Sequence, residues 1–201
     1  MKNKSSKRVF SSPKFAHVGL MSELTGSLNS EKSHIYLTDG GHFENLGVYE
    51  LLRRNCRYII ACDAGCDPSF EYEDLGNLIR KARIDFGCEI DIDTRNISLM
   101  DTNYSKNHCA VGNITYADGK VGYLLYIKAS LTGNEPVDIL NYRKRCPEFP
   151  HESTADQFFS ESQFESYRRL GKRIGKDVFN TAVKVLRSSE DKSHGLKLSL
   201  I

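Results

Sequence analysis

Nowhere in the 201 residues does an apolar run approach the roughly eighteen residues that a membrane-spanning helix needs. The basic start MKNKSSKRVF also leads into no apolar stretch of signal-peptide type, so the chain is expected to be soluble and cytoplasmic. Charge of one sign is scarce as well. Twenty-eight Lys and Arg face 26 Asp and Glu, a formal net charge of +2, which leaves no excess for a surface that tracks nucleic-acid phosphates. The one local imbalance is Lys2, Lys4, Lys7, Arg8 and Lys14 with no acid among them. It would suit an anionic membrane surface but reads better as a solvated tail. The six cysteines, Cys56, Cys62, Cys66, Cys88, Cys109 and Cys146, lack the paired spacing of a metal site. Cys62 and Cys66 bracket the loop CDAGC, but no second pair follows, so free thiols are expected and a structural zinc is not. Internal repeats and low-complexity tracts are missing too.

What is present fits one globular domain, with 39% hydrophobic and 27% charged residues. Residues 1–30, rich in Ser, Lys and Asn, read as an irregular entry, and 188–201 as a frayed tail. Between them, HIYLT predicts a short strand, DGGHFEN a turn, and LGVYELLRR a helix with Leu46, Tyr49 and Leu52 on one face. The unit then recurs in kind. CRYIIACDAG is a nearly continuous apolar run, and EDLGNLIRKARIDF places Leu75, Leu78, Ile79, Ala82 and Phe86 at helical spacing. Apolar strands alternating with amphipathic helices predict an α/β fold with a mainly parallel sheet covered on both faces. Ligands gather at the carboxyl ends of such strands, where Asp39 and Asp63 are expected.

Beyond Cys88, the segments CEIDID, NISLM, HCAVGNITY and VGYLLYIKASL are strand-like, and Asp118-Gly119 is a hairpin signal. An antiparallel extension is therefore expected, followed by a short helix in EPVDILNYRKRC. Two longer helices are expected in STADQFFSESQFESYRRLGKRI and GKDVFNTAVKVLR, with Phe158, Phe159, Phe164 and Tyr167 on the inward, apolar side. His151, Ser153 and Asp156 are the residue types of a catalytic triad, yet Thr154 with Gln157 fits a capping box, so helix initiation is the better reading.

The segment YLTDGGHFENLG is the most informative. Two glycines directly after Asp39 permit positive φ and hold a carboxylate beside an open cleft, where it can act as a base. His42 and Glu44 follow closely, as cleft lining or as helix caps. Asp39, Asp63 and Asp67 could also be oxygen ligands of Mg²⁺ or Ca²⁺, although Asp67-Pro68 reads equally as a turn.

The run YLTDGGHFENLGVYELLRRNCRYIIACDAGCDPSFEYEDLGNLIRKARIDFG closely resembles the region of patatin-like phospholipases around their Asp-Gly-Gly motif. FPHESTADQFFSESQFESYRRLG resembles the C-terminal part of large, mainly bacterial members. The resemblance implies part of a three-layer α/β fold, with 31–187 as the C-terminal part of the hydrolase domain, extended by a β-hairpin and helices. It also implies a Ser–Asp dyad that cleaves lipid acyl esters without cofactor or metal, Asp39 being the aspartate. Gly40, Gly41, His42 and Glu44 would then line the cleft or shape its turn. Family members carry a Gly-x-Ser-x-Gly elbow and a glycine-rich oxyanion loop before this motif, and neither occurs in these 201 residues. An aspartate with no nucleophile and no oxyanion donors cannot run acyl transfer, so the chain alone is expected to be inactive and to need the missing N-terminal part. Peripheral membrane contact is an option for the complete protein. A non-catalytic binding module is the alternative, and a metal-dependent phosphohydrolase ranks last.

Overall fold

The computed structural model describes residues 17–27, 39–100 and 103–198, with side chains to residue 180 apart from positions 18–20 and 23. The chain divides into two units, Met1–Phe43 and Glu44–Ile201. In the first, α1 spans His17–Leu24 and a 3₁₀ turn spans Gly40–His42. The strand expected over 34–38 lies outside the described residues.

In the second unit the order is α2 (Tyr49–Arg53), β1 (Tyr58–Asp63), α3 (Glu73–Phe86), β2 (Glu89–Ile92), β3 (Cys109–Thr115), β4 (Val121–Lys128), α4 (Val137–Arg145) and α5 (Glu161–Leu198). The strands form one sheet in the order β1-β4-β3-β2. Only β1 and β4 run parallel, with Tyr58 opposite Tyr123 and Asp63 opposite Lys128. The other two pairings are antiparallel, so the expectation of a mainly parallel sheet is corrected among the described residues. The cause is the hairpin. Gly119, at φ +80, turns β3 back into β4, and Tyr116 and Lys120 close the turn with a backbone bond of 2.9 Å. NISLM is not a strand either; Ile97 plugs the core from a turn.

Covered on both faces along its length is also not what the sheet shows. Strand β1 alternates exposed and buried residues despite its apolar sequence. Its inward residues Ile59 and Ala61 join Leu124, Tyr126, Ala110 and Ile114 against Leu52 of α2 and Leu75, Leu78 and Ala82 of α3. Helix α3 has its periodic apolar face, acids Glu73 and Asp74 in its first turn, and a left-handed Gly87 as its stop.

Among the described residues the other face is covered only towards the end of β4. There Ile127 packs with Ile139 and Tyr142 of α4 and Leu170 and Ile174 of α5. Towards the start of β4 the same face is open. Tyr58 is 70% exposed, Val111 66%, and Ile60, Val121 and Tyr123 are exposed beside them.

Helix α5 replaces the two helices expected. Its apolar line Leu170, Ile174 and Val178 continues at a spacing of four past Gly171 and Gly175, so packing carries the helix through both glycines. Residues 153–160 are not helical, and Ser160 begins α5 by accepting a bond from the Gln163 N–H at 3.2 Å. The Thr154–Gln157 capping box is thereby corrected.

Candidate functional site

Asp39 precedes the 3₁₀ turn and caps it, with Oδ1 accepting from the His42 N–H at 3.3 Å. Asp39, Gly40, Gly41 and His42 are all exposed. A Cβ on Gly40 would meet nothing within 4 Å, and positive φ falls at Gly47 instead, at +68. Nothing packed against Gly40 therefore demands a glycine; what the turn leaves open is the approach to the carboxylate.

Glu44 belongs to the second unit and does something different. Its carboxylate is buried and accepts three backbone N–H bonds, from Leu46 at 2.7 Å, Val48 at 2.8 Å and Tyr49 at 3.1 Å. These are orphan donors at the start of α2, so Glu44 holds the helix entry. Both oxygens are occupied by that task.

Asp63 ends β1 and is buried in a charged cluster. Its Oδ2 accepts from the Lys128 ammonium at 2.8 Å and from the Tyr126 hydroxyl, and its Oδ1 accepts from the Gly65 N–H at 2.8 Å. Lys128 is 1% exposed and reaches Asp67 Oδ2 at 3.0 Å as well. Asp67 in turn accepts from the Glu71 N–H at 2.8 Å and the Tyr72 N–H at 3.2 Å. Burial alone would raise the Asp67 pKa, but these N–H bonds and the ammonium outweigh it and lower it. The Tyr126 hydroxyl is pushed far up by burial and by the Asp63 carboxylate, so it stays a proton donor.

The cluster ties the ends of β1 and β4 to the loop before α3. That loop is strained, with Phe70 at φ 54 and Tyr72 at φ 55, and the Asp67 carboxylate is what pins it. An ammonium sits where a divalent ion bridging Asp63 and Asp67 would have to sit. Among the described residues no three His, Cys, Asp or Glu converge on one point. A polar cavity of about 450 Å³ opens in front of the cluster, bordered by Asn45, Cys66, Ser69, Asp74 and Thr154.

His151 stands behind this loop. Its ring is buried edge-on to Phe70, with Nδ1 3.3 Å from the Gly65 carbonyl. Burial pulls its pKa below the ordinary value. Ser153 and Asp156 are exposed and, among the described residues, bond only to nearby backbone, at Ala155 and Phe158, so no triad forms there.

Sequence reasoning missed Lys128 and Tyr126. The available signal was a lone lysine closing an otherwise apolar strand, VGYLLYIK, which has to find a buried partner. The aromatic segment was misjudged in the other direction. Phe158, Phe159 and Phe164 are 94%, 54% and 60% exposed; α5 starts only at Glu161, so the first two have no helical phase to turn them inward, and Phe164 stands on an outward side of the first turn of α5. Only Tyr167 goes in, against the core of α4 and α5.

No family model, no curated protein and no solved structure matches the chain. None of the described helices is long and apolar enough to cross a membrane.

Proposed function

We propose that the chain is the C-terminal portion of a patatin-like lipid acyl hydrolase, supplying the dyad base Asp39 to a serine carried by polypeptide outside these 201 residues. The observation that carries this reading is the Asp39 turn. The carboxylate is exposed, has only the bond of 3.3 Å from its own turn among the described residues, and is followed by two glycines that leave its approach open. In the reaction, Asp39 takes the serine proton as the hydroxyl attacks the ester carbonyl, and returns it to the departing alcohol. Oxyanion donors also come from the absent portion.

A second feature supports a partial domain. Among the described residues β1 pairs along one edge only, and that strand carries exposed Tyr58, Ile60 and Cys62 without a charge until Asp63. The opposite edge, β2, is four residues long and exposes Glu89 and Asp91, a common guard against further pairing. The unguarded edge adjoins the open apolar face, so both are available to further sheet and helix.

The test is reconstitution, joining the chain to the serine-elbow half of a patatin-like enzyme and assaying phospholipid hydrolysis. Asp39→Asn is expected to lower turnover by about 10²–10⁴-fold, the loss typical of a removed general base. Asp118→Asn, an exposed hairpin aspartate, is the control. An Asp39→Asn enzyme that keeps more than about a tenth of its activity would refute the assignment.

A further inference from the structure

The chain contains two Asp-Gly bonds, Asp39-Gly40 and Asp118-Gly119, and both are exposed. Such a bond carries its own reactive pair. The glycine nitrogen can close a five-membered ring on the aspartate side-chain carboxyl, and glycine has no Cβ to obstruct the approach.

The fold restrains one of the two. In the hairpin, the Gly119 N–H donates to the Tyr116 carbonyl at 2.9 Å, and Asp118 accepts from the Lys120 N–H at 3.1 Å and from its ammonium at 2.6 Å. Nucleophile and carboxyl are both held. The Lys120 bond also lowers the Asp118 pKa, which keeps the group a carboxylate, from which oxygen departs poorly.

Asp39 lacks these restraints. Among the described residues the Gly40 N–H donates no hydrogen bond, and the Asp39 carboxylate has no ion pair. It accepts only from the His42 N–H at 3.3 Å, a long bond beside the usual value of about 2.9 Å. Closing the ring requires Asp39 to turn away from its ψ of 166, giving up that bond. Gly40 and Gly41 make the turn permissive, and a Cβ on Gly40 would meet nothing within 4 Å, so no packed neighbour blocks the closure.

We propose that Asp39-Gly40 is a self-modification site, at which spontaneous isomerisation to isoaspartate limits the working life of the Asp39 carboxylate. The Gly40 nitrogen bonds to the Asp39 Cγ as the bond from Cγ to one carboxyl oxygen breaks, and that oxygen leaves as water with the amide and carboxyl protons. Water then adds to one of the two ring carbonyls. Opening at Cγ restores aspartate. Opening at the main-chain carbonyl routes the backbone through Cγ and leaves the carboxylate directly on Cα. Composition is unchanged, but the main chain is one atom longer and the carboxylate arm one atom shorter. On the hydrolase reading, that displacement ends the service of Asp39 as a base. The modification itself does not rest on that reading, because it is read from peptides and not from turnover.

The experiment ages the full chain at neutral pH and body temperature, digests samples with a protease and separates the peptides. The Asp39 peptide is expected to split into two species of equal mass, the new one accepting a methyl group from S-adenosylmethionine through an isoaspartyl methyltransferase. The Asp118 peptide should convert several-fold more slowly. In chain unfolded in guanidinium chloride the two rates should converge, because the hairpin restraints are gone. Gly40→Ala, at a position with open space and a φ outside the left-handed region, should slow conversion at Asp39 several-fold. Asp39→Asn should react faster through the same ring, since ammonia leaves in place of water, and its mass should drift to that of the aspartate chain. Conversion at Asp118 that equals or exceeds conversion at Asp39 in the folded chain overturns the proposal. So does an Asp39 that stays intact in the folded chain while it converts in the unfolded one, or a Gly40→Ala chain that converts as fast as wild type.

Discussion

Asp39 and Asp63 look alike in sequence, one in Thr-Asp-Gly-Gly and the other in Cys-Asp-Ala-Gly, and the fold treats them as opposites. Asp39 is exposed and spends one oxygen on a long bond to its own turn. Asp63 is buried, with three donors on two oxygens, among them a lysine that is itself shared with Asp67. The first carboxylate has no bond to its other oxygen among the described residues. The second is a cross-link. What separates them is the residue supplied by another strand: Lys128 lies opposite Asp63 in the parallel register of β1 and β4, and the Asp39 turn receives no comparable cation among the described residues.

The comparison breaks most visibly when that cation is removed. Lys128→Met should leave the buried Asp63 and the half-buried Asp67 carboxylates without a counter-charge, at a cost of about 3–5 kcal/mol in urea unfolding. Adding Asp63→Asn to Lys128→Met removes one of the two orphaned charges and should recover part of that loss. A Lys128→Met protein within about 1 kcal/mol of wild type would show that the cluster is not a cross-link.

Within the Asp-Gly-Gly segment itself the same division recurs, since Glu44 is only five residues from Asp39 yet acts as scaffold. Glu44→Ala uncovers three donors at the start of α2 and should cost about 2 kcal/mol. Amide exchange at Val48 and Tyr49 should quicken more than exchange in β4. Unchanged protection at those two amides would contradict the capping role.

Acidity sharpens the contrast further. Burial lowers the pKa of His108 and His151 from the ordinary value of 6.5, so in the folded state both refuse protons that the unfolded chain accepts. Stability from this source is complete above about 6.5 and falls as pH drops through the lowered folded values, by at most about 1.4 kcal/mol per pH unit for each group. Asp67, also lowered, takes over below its ordinary 3.8: its contribution is present above that value and lost as pH falls through the depressed one. His151→Gln should flatten the first of these slopes. A stability profile unchanged between pH 7 and pH 5, within about 0.3 kcal/mol, would rule out buried neutral imidazoles.

How much of this was legible depended on whether local order decided the outcome. The helix over Glu73–Phe86, the Asp118-Gly119 hairpin and the apolar strand of β1 were readable because period and turn chemistry are local. The antiparallel hairpin was expected, but not that β1 would pair in parallel with its second strand, since an apolar strand looks the same in a parallel or an antiparallel pair until its partner is known. Nor was the fate of the carboxylates. Asp63 finds Lys128 65 residues away, and no spacing rule reaches that far. Phe158 and Phe159 failed for a third reason: a stripe at helical spacing predicts burial only if the helix extends through it, and α5 begins three residues after Phe158.

The smallest expected effect is the stability change at Asp39. Asp39→Asn keeps an oxygen that can accept from the His42 N–H, removes no ion pair among the described residues and leaves the exposed turn its size. Unfolding free energy should therefore shift by less than about 0.5 kcal/mol, the usual range for surface substitutions. Asp63→Asn is the matched change at the other site. It keeps the Gly65 contact but strips the Lys128 ammonium and the Tyr126 hydroxyl of their charged acceptor, and should cost about 1–3 kcal/mol. The ordering is the informative quantity, because a residue kept for proton transfer contributes little to the fold, whereas a residue kept for the fold cannot be freed for chemistry. If Asp39→Asn destabilises the chain as much as Asp63→Asn does, Asp39 is held by contacts of its own, and its carboxylate is no longer the free base that the hydrolase reading requires.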